Sequence, residues 1–162
     1  LSGVNIPILA GYARAASDKG IPIVCGWHGA LDSELARLTS GIVINADEAE
    51  KITGLENPEE SIKALDVDFA AVTLPTGGCV ISRGIDVQVV AAPELEPVDR
   101  TGGGDAFAAA FVAGLYWKWD IRECAAMGNT LAAAVIMERG ARPEISIPED
   151  LKFQASHPVP SS

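Results

Sequence analysis

The chain has 162 residues, of which 48% are hydrophobic, so its length suits one domain and its composition supplies a core. It carries 22 acidic against 12 basic side chains, a formal net charge of −10, with no basic cluster, which argues against nucleic acid and anionic membranes as partners. No signal peptide or membrane-length apolar run is visible, which places the expectation in the cytoplasm.

In chain order, Leu1 is not an initiator methionine and the chain opens almost directly into a helix, so a segment upstream is expected to have been removed or left out. Ile8, Leu9, Tyr12, Ala15 and Ala16 recur at helical spacing, and Lys19-Gly20 is a stop signal. Ile21 to Cys25 reads as a buried strand, Leu31 to Leu38 as a short helix, and Gly41 to Ile44 as a strand ending at Asn45. Glu48 to Thr53 continues as a helix closed by Gly54, and Pro58 to Leu65 is a helix with proline in its first turn. This alternation predicts a parallel sheet with right-handed crossovers. The pattern then changes: Phe69–Leu74, Cys79–Ser82 and Asp86–Val90 are strand-like runs separated by short turns, an antiparallel meander at a sheet edge. Phe107, Phe111, Gly114 and Leu115 fall on one face of a helix; Ile121, Ala125, Gly128, Ala132 and Val135 do so in the next, which Gly140 ends. Ile147–Leu151 is a last turn or helix. The domain runs to residue 153, and 154–162 read as a flexible tail. Cys25, Cys79 and Cys124 have no metal-ligand spacing and read as reduced core residues.

The stretch Asp99-Arg100-Thr101-Gly102-Gly103-Gly104-Asp105 leads straight into the small and apolar residues of the next helix. Free N–H groups and the positive end of the helix dipole make such a start an anion site. One glycine would serve a turn; three suggest a ligand approaching the backbone. Asp105 stands where it can accept a proton from a hydroxyl while the amides hold a phosphoryl group. The spacing fits neither a Walker A loop nor the dinucleotide fingerprint.

These residues resemble the C-terminal signature of the ribokinase-like carbohydrate kinases, the PfkB family, which reads about Asp-Thr-x-Gly-Ala-Gly-Asp. Asp99, Thr101, Gly102, Gly104 and Asp105 match; Arg100 replaces a small or β-branched residue and Gly103 a common alanine. The resemblance implies a three-layer α/β/α fold, of which the chain covers the C-terminal half, without the N-terminal half and lid. It implies ATP-dependent phosphorylation of a sugar hydroxymethyl group, with Asp105 as base and the Gly102–Asp105 amides as anion hole. Nucleotide, Mg²⁺ and a small sugar would be its ligands, and the missing half or a second copy its partner. Without sugar pocket and lid, the chain alone is expected to be inactive or nearly so. The alternative is a nucleotide-binding or oligomerisation module without catalysis.

Four further groups carry two readings each. Asn45-Ala46-Asp47-Glu48 is a helix cap with its capping-box partner; the family's Asn-x-x-Glu at this point implies that Asn45 and Glu48 organise phosphate and Mg²⁺. Thr73-Leu74-Pro75-Thr76-Gly77-Gly78 is a hairpin turn, or the family's nucleotide-phosphate loop, with Thr73, Thr76 and Gly78 as contacts. Pro75 stands where the family has glycine and lacks an N–H, so Thr76 and Gly77 would have to compensate. Asn129 is an exposed helical residue, or with Gly140 it borders the adenine and ribose pocket. Asp99 caps its turn, or with Thr101 holds a monovalent cation such as K⁺. His28 and His157 read as structural or tail residues, and Trp117 and Trp119 as packing.

Overall fold

The computed structural model describes residues 6–26 and 33–140. The expectations for Leu31, His28, Ile147–Leu151, His157 and the tail fall outside the described residues. The elements are α1 (Ile6–Ser17), β1 (Val24–Cys25), α2 (Ser33–Leu38), β2 (Gly41–Asn45), α3 (Ala46–Thr53), α4 (Pro58–Ala64), β3 (Phe69–Thr73), β4 (Cys79–Arg83), β5 (Asp86–Val90), α5 (Gly103–Tyr116) and α6 (Ile121–Ile136). Five strands form one sheet in the order β1-β2-β3-β4-β5. By compactness the chain divides into a first unit, Leu1–Val72 with Ser82–Val87, and a second, Thr73–Ile81 with Gln88–Ser162.

In the first unit, β2 is buried along Gly41–Ile44 on both faces, as expected of a strand covered by helices. β1 pairs with it in parallel, Val24 opposite Gly41 and Cys25 opposite Ile42. Asn45 and Glu48 cap α3 reciprocally, and Gly54 closes it in the left-handed region at φ 74°. α4 starts on Asn57 with Pro58 in its first turn.

Residues 74–78 and 84–85 are far too short for parallel crossovers, so β3, β4 and β5 run antiparallel as a meander. β3 and β4 are buried for most of their length, whereas β5, last in the order, exposes Asp86, Gln88 and Val89. In the second unit, α5 and α6 pack through small residues. A Cβ on Gly128 would stand 2.7 Å from the Phe107 ring, and one on Gly114 2.8 Å from Cys124 Sγ. Phe107 and Phe111 are fully buried with rings 5.8 Å apart, and Trp119 is buried with Trp117 against it.

Four expectations are corrected. The contact face of α1 is Ala10 and Ala13, while Ile8 and Tyr12 are 55% and 74% exposed; the small side chains make the close approach. The strand expected over Ile21–Cys25 shortens to Val24–Cys25, because Pro22 has no N–H, Ile21 donates to Ala16 O and Ile23 to Ser40 Oγ. Cys25 is therefore half-buried, its Sγ 3.2 Å from Thr39 Oγ1, whereas Cys79 and Cys124 are buried as expected. Finally α6 ends at Ile136, not at Gly140: the Ile136 carbonyl accepts from Val98 and Asp99 N–H, and the Gly140 N–H turns to Asp99 Oδ2 instead.

Candidate active site

The second unit contains a cavity of about 330 Å³. Its wall is built by the β3–β4 loop, the segment after β5, the start of α5 and one side of α6. Of the residues singled out from sequence, Thr73, Thr76, Gly78, Gly103, Gly104 and Asn129 line it. Gly102 and Asp105 flank the lining glycines along the chain; Asp99, Thr101 and Gly140 are not on the wall.

The hinge is open. Gly102 is the N-cap of α5 at φ 84°, a backbone conformation that only glycine adopts without strain, and no side chain caps the helix. Gly104 and Asp105 are exposed. Gly103 N–H makes a long bond to Arg100 O at 3.4 Å and Ala106 N–H bonds Gly102 O at 2.9 Å. Among the described residues, no acceptor serves the amides of Gly102, Gly104 or Asp105. Gly103 is buried, and a Cβ there would press on Ile136 Cγ2 at 2.7 Å, so a glycine fits the local α5–α6 contact.

Asp99 secures the segment before the hinge. Its Oδ1 accepts from Thr101 N–H at 2.9 Å and its Oδ2 from Gly140 N–H at 3.0 Å. The Thr101 hydroxyl, then the two amides, hold its carboxyl below the usual carboxylate range. The structure thus shows Asp99 capping its turn, and it pins Gly140 as well, a link between residues 41 apart that no local pattern announces.

The β3–β4 loop is a tight turn, Leu74 N–H to Gly78 O at 3.0 Å and Gly77 N–H to Leu74 O at 3.1 Å. Gly77 therefore cannot supply the amide that Pro75 lacks, which corrects half of that expectation; Thr76 N–H has no acceptor among the described residues. Gly78 sits at φ 89°, and a Cβ there would collide with Val90 O at 2.5 Å. The Arg100 guanidinium donates from Nη1 to Pro75 O at 3.2 Å, so Arg100 and Pro75, each a departure from the resemblance, meet.

Asn129 is buried, not exposed. Its Nδ2 donates to Val90 O at 3.1 Å and Ala91 O at 3.2 Å, holding the end of β5 just before the chain enters the cavity wall at Ala92. Beside it, burial pushes the Cys79 thiol up to about 12, against a smaller opposing effect of the Asn129 amide. Sequence reasoning missed this role of Asn129; the signal was an amide side chain next to Gly128, midway along α6.

In the first unit, Asn45 Oδ1 accepts from Glu48 N–H and Glu48 Oε2 from Asn45 N–H, both at 2.9 Å, so the cap is formed as the residues alone suggested. Among the described residues no group of three or more His, Cys, Asp or Glu side chains gathers to hold a metal. The exposed Glu48 carboxylate and Asn45 amide oxygen are hard donors of the kind suited to Mg²⁺ that keeps its waters and arrives with phosphates, not to an all-protein cage.

Residues 4–148 match the pattern of the pfkB family carbohydrate kinases. This chain belongs to that family. A sugar kinase of Archaeoglobus fulgidus is 30% identical over 138 residues, covering 83% of this chain and 54% of that protein. Among solved structures, the adenosine kinase of Sinorhizobium meliloti superposes with a TM-score of 0.77 at 30% identity, over 86% of this chain and 47% of that one. Arabidopsis thaliana ribokinase, solved with ribose and ATP, gives 0.82 at 25% identity over 93% and 54%. The chain has the α/β ribokinase-like fold and spans about half the length of the pfkB kinases it matches. No described helix is long and apolar enough to cross a membrane.

Proposed function

We propose that the chain is the nucleotide-binding and catalytic part of an ATP-dependent sugar kinase. The observation that carries this reading is the hinge: three unengaged amides at the start of α5, beside a cavity, with the exposed carboxylate of Asp105 in the same turn. The amides of Gly102, Gly103, Gly104 and Asp105 stabilise the phosphoryl group as it moves from ATP. Asp105 accepts the proton of the sugar hydroxymethyl group as its oxygen attacks. A loose transition state lets that proton move late, so a carboxylate serves as the base.

Thr73, Thr76 and Gly78 border the polyphosphate in this reading, and Asn129 and Gly140 the adenine and ribose. Asn129 acts there mainly by holding Val90 and Ala91, which precede the wall residue Ala92. Asn45 and Glu48 would hold Mg²⁺ through water. When bound, the ion neutralises charge on the phosphates. Asp99 and Thr101 are assigned a monovalent cation such as K⁺, which the charged Asp99 carboxylate would attract. Sugar capture and water exclusion are left to the remainder of such a kinase. The chain alone then transfers phosphate slowly or not at all.

Calorimetric titration with ATP and Mg²⁺, followed by a coupled assay over pentoses, hexoses and nucleosides, tests the reading. Saturable nucleotide binding is expected. Absence of binding at millimolar ATP defeats the proposal, and robust sugar phosphorylation by the 162-residue chain defeats the statement about inactivity.

A further inference from the structure

The β3–β4 loop lacks a donor at Pro75, and the Gly77 N–H closes the turn on Leu74 O. A loop that faces a polyphosphate is thereby short of N–H groups. Across the cavity wall stands Arg100, which reaches the same loop and touches it at the residue that lost its amide, Nη1 to Pro75 O at 3.2 Å. A guanidinium carries five N–H donors in a planar fork, and this contact engages one of them. Among the described residues Arg100 makes no ion pair with the neighbouring Asp99, whose oxygens face the Thr101 and Gly140 amides. Among the described residues, the cavity wall carries two charged side chains, Glu94 and Arg100. In a chain of net charge −10, Arg100 is thus the one cation among the described wall residues, just ahead of the open hinge.

We infer that Arg100 is a phosphate-binding residue that replaces the amide missing at Pro75 and bonds the polyphosphate of the nucleotide. The contact with Pro75 O pre-orients the fork, so less side-chain freedom is lost when phosphate binds. The inference rests on the nucleotide reading above and goes beyond it by assigning a residue that departs from the family signature.

Arg100 is exposed and its side chain makes one hydrogen bond among the described residues, so its replacement leaves the fold intact, which circular dichroism and a melting curve verify. Binding of ATP, ADP, adenosine and inorganic phosphate is measured for the wild-type chain, Arg100→Ala and Arg100→Gln. Glutamine keeps a donor for the Pro75 carbonyl but no charge. Both variants are expected to weaken ATP about tenfold or more, as loss of a charged hydrogen bond does, and to leave adenosine unchanged. A wild-type chain that binds ATP no better than Arg100→Ala overturns the inference and leaves the nucleotide reading standing. So does equal weakening of ATP and adenosine, or wild-type affinity in Arg100→Gln, since either marks a loop latch. A variant effect confined to free phosphate overturns it as well, by assigning the fork to another anion. A wild-type chain that binds neither ATP nor adenosine removes both readings together.

Discussion

Two helix starts in this chain solve the same problem in opposite ways. At α3 the first turn closes on itself: Asn45 and Glu48 exchange side-chain and backbone bonds, so the amides of both residues find acceptors within the turn. At α5 the N-cap is a glycine with no side chain, and the amides of Gly102, Gly104 and Asp105 stay unengaged among the described residues. The first arrangement is worth about 1 kcal/mol to its helix. The second forgoes that stabilisation and keeps donors for something outside the chain. A capping box thus finds its acceptors within the chain, whereas the glycine hinge leaves donors open, which the proposed function assigns to an anion.

The largest expected effect separates the two starts by chemistry. Replacing Asp105→Asn keeps size and shape at α5 but removes the proton acceptor. In a form of the kinase that phosphorylates a sugar, kcat should fall by about 10²–10⁴-fold while ATP affinity is nearly unchanged. Turnover close to wild type in a coupled assay removes Asp105 from the chemistry and makes it a helix-start acid, like Asp47 in α3.

Next in size is Asn129→Ala. The side chain is buried, and its loss leaves the carbonyls of Val90 and Ala91 without their donor. The expected loss is about 1–3 kcal/mol of stability, read from the denaturant midpoint, together with weaker nucleotide binding as the cavity wall loosens. Loss of stability with full nucleotide affinity would confine Asn129 to the fold.

Much of this was legible before any coordinates. The strands β2, β3, β4 and β5 and the helices α3 to α6 follow from apolar runs, caps and turn glycines, since those signals are local. The hinge was legible too, because three glycines before an acid have few other uses. Contacts between distant residues were not. Nothing near Asp99 announces Gly140, and nothing near Pro75 announces Arg100, because tertiary folding alone brings them together. The exposure of Ile8 and Tyr12 was misread for a related reason: hydrophobic spacing marks a helix, but which stripe is covered depends on the neighbour, and here that neighbour meets Ala10 and Ala13.

Gly104→Ala tests the hinge with the fold as its control. Nothing lies within 4 Å of a Cβ at this position, so the helix tolerates it and should gain up to about 1 kcal/mol from the better helix former. The same methyl group would project at the open amides on the cavity wall and obstruct a phosphoryl group. The expectation is therefore a higher melting temperature with weaker ATP binding. A variant that gains stability and binds ATP as before would place the phosphates elsewhere.

The smallest effect concerns the segment ahead of the hinge and is a matter of pH. The carboxyl of Asp99 lies below its ordinary value because the Thr101 hydroxyl, the amides of Thr101 and Gly140, and the nearby Arg139 favour its charged form. A group depressed on folding stabilises the native state above its unfolded pKa, about 3.9 for aspartate, and that contribution is lost as pH falls through the folded value. Wild type and Asp99→Asn should therefore differ most in stability near neutral pH and converge in acid below about pH 4. Since Asp99 is well solvated, the gap should be a small shift in melting temperature. A difference that persists unchanged into acid would mean that the Asn side chain disturbs the Thr101 turn by shape, and that charge at Asp99 does not govern how the chain enters the hinge.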